Sequence, residues 1–146
     1  RLKGAYYIKY ASHETDEEGN ITAVHCTYDP ESFGGETPDG RKVKGTLHWV
    51  SADHSVTAEV RLYDRLFNVP NPSDEEGVSS FADNLNPESL TVLSNCRLDE
   101  PLKDSKVGDT FQFMRQGYFT VDSDSNADKL VFNRTVALKD SFVKKG

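Results

Sequence analysis

The sequence predicts an all-β protein. Aromatic residues make up 10% of the 146 residues, with eight Phe and six Tyr. Strand-favouring residues fall in short runs, and turn-forming clusters punctuate those runs at intervals of about 8 to 20 residues. No segment keeps a helical period over three turns.

The elements follow in order. From Arg1 to Tyr10, the apolar Leu2, Tyr6, Ile8 and Tyr10 share one parity, and Arg1, Lys3, Tyr7 and Lys9 share the other. That alternation predicts a half-buried strand with Arg1 and Lys3 on its polar face. Asp16-Glu17-Glu18-Gly19-Asn20 marks a turn, because Gly and Asn accept positive φ at little cost, and Ile21 to Tyr28 completes a hairpin. Pro30, Gly34, Gly35 and Pro38-Asp39-Gly40 break the next stretch into loop. Val43 to Val50 resumes extended structure around Trp49. Val56, Ala58, Val60 and Leu62 alternate with Thr57, Glu59 and Arg61, a clear period-two strand. Phe67 to Pro87 is a long acidic connection with a helical turn near Ser79 to Asn84, and it sets a boundary between residues 1–66 and 67–146. Ser89 to Asn95, Thr110 to Met114, Tyr118 to Val121 and Leu130 to Leu138 then read as strands, with Arg115-Gln116-Gly117 as a hairpin tip. Many short antiparallel strands in a chain of this size are most economically closed into small barrels, which removes exposed edges.

Composition bounds the function. No apolar run approaches the roughly 20 residues of a membrane helix. The chain begins at Arg1 with no basic-then-apolar leader, so it reads as a piece of something longer. Two cysteines, Cys26 and Cys96, fit a reducing, cytoplasmic setting better than a disulfide scaffold. A net charge of -7 has the wrong sign for sequence-blind nucleic-acid binding, so any RNA contact must come from a local basic face.

Few motifs carry chemistry. Gly35 to Lys42 has phosphate-loop glycine spacing, but Arg41 stands where the Lys belongs, Pro38 removes an amide and the flanks look β. His13, His25, His48 and His54 lack paired metal-ligand spacing, and His25 and Cys26 point to opposite faces of one strand. Ser51, Asp53, His54 and Ser55 are triad residue types without an oxyanion hole. Asn20-Ile21-Thr22 and Asn133-Arg134-Thr135 match a glycosylation pattern that matters only on export. The acidic runs at Asp16 and Asp74 are solvated loops. Metals, cofactors and catalytic residues are therefore not expected in these residues. The more suggestive pattern is basic: Arg41, Lys42 and Lys44 after a turn, Arg1 and Lys3 on one strand face, and Gln112 and Arg115 around a hairpin end beside Phe111, Phe113 and Tyr118. Arg and Gln next to aromatics suit the reading of splayed single-stranded bases.

The strings Cys26-Thr27-Tyr28-Asp29, Asp39-Gly40-Arg41-Lys42-Val43-Lys44-Gly45, His48-Trp49-Val50-Ser51, Arg61-Leu62-Tyr63-Asp64-Arg65-Leu66-Phe67, Asn71-Pro72, Asn86-Pro87-Glu88-Ser89-Leu90, Phe111-Gln112-Phe113, Gly117-Tyr118-Phe119 and Phe132-Asn133-Arg134-Thr135-Val136 run in order over nearly the whole chain. In them the sequence resembles the C-terminal anticodon-binding region of the glutaminyl-tRNA synthetases; the related glutamyl enzymes share part of the pattern. The resemblance implies two small antiparallel β-barrels of a ribosomal-protein-like kind, distal over 1–66 and proximal over 67–146, with some strands contributed from before Arg1. It implies that ATP and Mg belong to an N-terminal catalytic domain, leaving these residues without cofactor or catalysis. It implies the tRNA(Gln) anticodon loop and that catalytic domain as partners, with neither DNA nor membrane. By the same resemblance Arg1 and Lys3 approach the first anticodon base and its phosphate, Gln112 and Arg115 contact the central uridine, and the third-base reader lies before Arg1. The acidic loops keep a second role open, as a structural module docking a basic protein.

Overall fold

The computed structural model describes residues 1–73 and 79–138. The chain forms two compact units, Arg1–Trp49 and Val50–Gly146.

In the first unit, β1 (Tyr7–Thr15) and β2 (Ile21–Asp29) form an antiparallel hairpin. Its tip is held by Asp16, whose carboxylate accepts from the backbone N–H of Glu18 at 3.0 Å and of Asn20 at 2.8 Å, and from Asn20 Nδ2 at 3.0 Å. These donors, the Asn20 side chain foremost, hold the Asp16 carboxyl below the usual carboxylate range. Tight turns over Pro30–Gly35 follow, entered through Asp29, whose side chain accepts from the Glu31 N–H. Ser32 is fully buried; its Oγ accepts from the Tyr7 N–H at 2.7 Å and donates to the Asp29 carbonyl at 2.6 Å.

Three expectations are corrected here. Arg1 and Lys3 do not lie on a strand: Gly4 at φ +70 turns the chain, the Ala5 N–H closes onto the Leu2 carbonyl, and β1 begins only at Tyr7. The expected parity also fails at Tyr7 and Tyr10, although Leu2, Tyr6 and Ile8 are half-buried and Arg1, Lys3 and Lys9 exposed. Tyr7 is 7% exposed while Tyr10 is 58% exposed, because Ser32 and the Gly35 carbonyl, which accepts from the Tyr7 hydroxyl at 2.7 Å, cover the Tyr7 side. Nor is Val43 to Val50 a strand. Gly45 at φ +91 interrupts it, and only Leu47 makes a β-bridge, parallel to Leu2.

The second unit is one five-stranded sheet of β3 (Ser55–Tyr63), β4 (Leu90–Asp99), β5 (Thr110–Phe113), β6 (Gly117–Val121) and β7 (Leu130–Ala137), in the order β4-β3-β7-β6-β5. All neighbours are antiparallel except β3 and β7. The sequence boundary at 66/67 falls after β3, whose hydrogen-bonded neighbours β4 and β7 both follow it. The alternation of β3 sends Ala58 and Val60 into a core shared with Phe119, Val121 and Phe132, against which Leu62, Cys96, Leu98, Phe111 and Phe113 pack. Phe113 stacks on Phe119 with centroids 4.4 Å apart, and Phe132 lies 5.4 Å from Phe113.

Between β6 and β7, charges are tied down. Glu59 binds Arg61 and Lys129, each at 2.7 Å, and Arg61 also reaches Asp124 at 2.7 Å and Asp122 at 3.7 Å. The expected helical turn is present at Phe81–Asn84, with Ser80 and Asp83 capping it reciprocally. The acidic run Asp74-Glu75-Glu76 lies outside the described residues. The all-β expectation holds. The described strands form two open sheets, with β4 and β5 at the edges of the larger one, so barrel closure is not observed among them.

Candidate nucleic-acid interface

The β5–β6 hairpin is built by alternation against a core. Phe111 and Phe113 turn inward to meet Phe132, so Gln112 between them is exposed, with Tyr118, 41% exposed, directly opposite. The next partner in the row is Val136, on β7. A polar amide, an aromatic ring and an aliphatic side chain thus stand in one register line on the outer face. Of the three aromatics near Gln112 in sequence, only Tyr118 has an exposed ring; Phe111 and Phe113 are core residues and offer no stacking face there.

The tip is a β-turn in which the Gln116 N–H donates to the Phe113 carbonyl at 2.9 Å. Arg115 occupies its third position at φ 62 and is the one non-glycine residue with positive φ among the described residues. That position normally takes Gly or Asn, and a bulky side chain there costs about 1–2 kcal/mol. Such strained residues cluster at binding and catalytic sites. Arg115 is exposed, and the hairpin presents it with Gln112. The Gln amide offers both a donor and an acceptor and the guanidinium offers donors only.

Arg1 and Lys3 flank the Leu2 bridge in the first unit. The Arg1 Nε donates to Thr46 Oγ1 at 2.7 Å, and its guanidinium passes over Gly35, where a Cβ would stand 3.2 Å from Nη1. Lys3 is exposed, and its carbonyl accepts from Trp49 Nε1 at 3.0 Å. Arg1 borders an open cavity of about 500 Å³ that Tyr7, Glu36, Arg41 and Lys42 also line; Lys3 does not line it. Arg41 is committed to two carboxylates, Asp29 and Asp39. Arg1 and Lys42 form no carboxylate ion pair among the described residues. Thus Gln112 and Arg115 share one hairpin, Arg1 and Lys3 share one short segment, and the two pairs belong to different units.

The other motifs resolve into structure. The His54 N–H donates to Ser51 Oγ and the Ser55 hydroxyl to the Ala52 carbonyl, both at 3.2 Å, so the would-be triad is a hydrogen-bonded turn. His25 pairs with Glu14 across the first hairpin, and no group of His, Cys, Asp or Glu able to hold a metal occurs among the described residues. The Asn133 amide is occupied by Asp122. Gly35 to Lys42 contains a turn closed from the Gly40 N–H to the Thr37 carbonyl and leads into irregular chain, not a helix.

Residues 46–122, more than half the chain and including Gln112 and Arg115, match the family model described as tRNA synthetases class I (E and Q), anti-codon binding domain. The chain belongs to that family. Among relatives, the glutamine–tRNA ligase of Photobacterium profundum is 55% identical over 147 residues, covering 100% of this chain and 26% of its own length. That of Vibrio parahaemolyticus is 54% identical over 145 residues, and that of Proteus mirabilis 51% over 144, each covering 99% of this chain and 25% of the relative. The chain therefore spans about a quarter of the curated relatives it matches.

Proposed function

We propose that this chain is the anticodon-binding part of a glutamine–tRNA ligase and that Gln112 and Arg115 read the central anticodon base. The observation that carries the reading is the exposed hairpin end, where Arg115 is held in a left-handed conformation beside Gln112 and Tyr118. Uridine offers N3–H as donor and O2 and O4 as acceptors, which the Gln amide and the Arg donors complement. Cytidine at that position leaves the amide facing the wrong pattern, at about 1–3 kcal/mol by analogy with base readout in DNA. Tyr118 supplies a stacking face for the unstacked base.

Arg1 and Lys3 then approach the first anticodon nucleotide. Lys3 lacks the planar fork of an arginine, which favours a phosphate contact over base-edge geometry. ATP, Mg and the glutaminylation step belong to the remainder of the longer cytoplasmic protein, and tRNA(Gln) with a CUG or UUG anticodon is the RNA partner. With a net charge of -7, binding by this part alone is weak and salt-sensitive, on the order of micromolar or poorer. Titration with an anticodon stem-loop bearing CUG, and with one whose central U is replaced by C, tests the reading. Weaker binding to the second supports it, and equal affinities at matched salt refute it.

A further inference from the structure

The pairing of β6 with β7 slips by one residue at the foot of the β5–β6 hairpin. Phe119 pairs with Arg134 and Tyr118 with Val136, so Thr135 has no partner of its own on β6 and is the extra residue of a β-bulge. Bulges bend a strand, sharpen its twist and re-aim side chains, and they recur beside functional sites. This one falls at Tyr118, directly opposite Gln112.

Two further departures from regular strand geometry lie within three residues of Tyr118. Arg115 holds the left-handed turn position at φ 62, and the buried Gly117 takes φ +141 with the Val136 carbonyl pressed against it. The Thr135 hydroxyl spans the irregularity, Oγ1 donating to the Tyr118 carbonyl at 3.2 Å. Thr135 is exposed and stands outside the core cluster, so this hydroxyl serves the Tyr118 backbone rather than core packing. Valine would match the shape and β-branching of threonine and lack only the donor. The Asn133-Arg134-Thr135 string thereby divides its work, with Asn133 bound to Asp122 and Thr135 to Tyr118.

A binding constellation has to be held to about 0.5 Å by the groups that support it. We infer that Thr135 is a positioning residue for base reading: its hydroxyl holds the bulge, and the bulge sets the tilt at which Tyr118 and Gln112 meet the central anticodon base. Thr135 acts through the Tyr118 backbone. This rests on the proposed central-base reading and adds to it a residue on a third strand.

The test titrates the full chain, with Thr135→Val and with Thr135→Ser, against the CUG stem-loop and the loop whose central U is replaced by C, at one salt concentration. Thr135→Val is expected to melt within a few degrees of the unsubstituted protein, because the position is exposed. Its affinity for the CUG loop should fall about two- to tenfold, the range of one ordinary hydrogen bond. Binding to the U-to-C loop should stay level, so the preference between the loops shrinks by the same factor. Thr135→Ser, which keeps the donor, should restore the preference. An undiminished preference in Thr135→Val overturns the inference. So do an equal loss on both loops or a large fall in melting temperature, either of which marks a general role in the fold, and so does failure of Thr135→Ser to restore the preference. In each of those cases a clear preference for the CUG loop in the unsubstituted protein leaves the central-base reading standing. Absence of that preference in the unsubstituted protein removes the reading and the inference together.

Discussion

A Cβ placed on Gly117 would stand 2.4 Å from the carbonyl oxygen of Val136. Gly117 is buried, at φ +141, where β6 meets both β5 and β7. The close approach is what lets the hairpin carrying Gln112 lie against the sheet. We expect Gly117→Ala to combine backbone strain of at least about 1–2 kcal/mol with a displaced strand. Thermal unfolding should fall by several degrees or more, and affinity for the CUG loop should fall with it.

Arg115→Gly separates binding from folding. Glycine accepts the left-handed turn position, recovering about 1–2 kcal/mol of strain, against which a more flexible unfolded chain sets about 0.4–1 kcal/mol. The melting temperature should therefore stay level or rise slightly. RNA affinity should drop about 10- to 100-fold, the loss of a base-edge contact worth about 1–3 kcal/mol. A variant that melts low while binding normally would contradict both halves.

Phe132 is fully buried and packs on Phe111 and Phe113. Phe132→Ala should cost about 3–5 kcal/mol through lost burial and the cavity left behind, read as a lower midpoint in urea. Because Gln112 sits between those two rings, the β5–β6 hairpin should loosen as well, seen as faster amide exchange over β5.

Acid should weaken the second unit first where its carboxylates are charge-paired. Lys129, then Arg61, holds the Glu59 carboxyl below its ordinary 4.5, and the Asp124 N–H with the Asn133 amide holds Asp122 below 3.8. Both groups bind protons more weakly folded than unfolded. Their contribution is therefore complete above the unfolded pKa and is lost as pH falls through the folded one. Stability should be flat from pH 7 to about pH 5 and decline below it. Arg61→Gln should lower the plateau and flatten the acid limb, measured as melting temperature against pH.

Local signals made part of this legible. Period-two alternation placed β3 and its Ala58–Val60 face, and the Arg115-Gln116-Gly117 tip located the hairpin that carries Gln112 and Arg115. Misplaced residues were governed by distant partners. Tyr7 is buried by Ser32 and Gly35, which no alternation within residues 1–10 can show. Gly4 and Gly45 ended runs that otherwise read as extended. Lys42 lay within a recognisable string, but its lining of one cavity with Arg1 is a long-range arrangement that no local pattern shows. Phe111 and Phe113 looked like base-stacking rings because composition does not say which side of a strand faces the core.

Strand β7 lies between β3 and β6, yet it is the last of the five in chain order. On the ribosome, everything before Leu130 can pair only as two separate ribbons, β3 with β4 and β5 with β6, each with one greasy side in water. The unit cannot become a single cooperative body until its final strand slides into the central gap, and such late, long-range docking is slow. Nascent chains stalled before that strand should therefore be the species most exposed to chaperones and to aggregation.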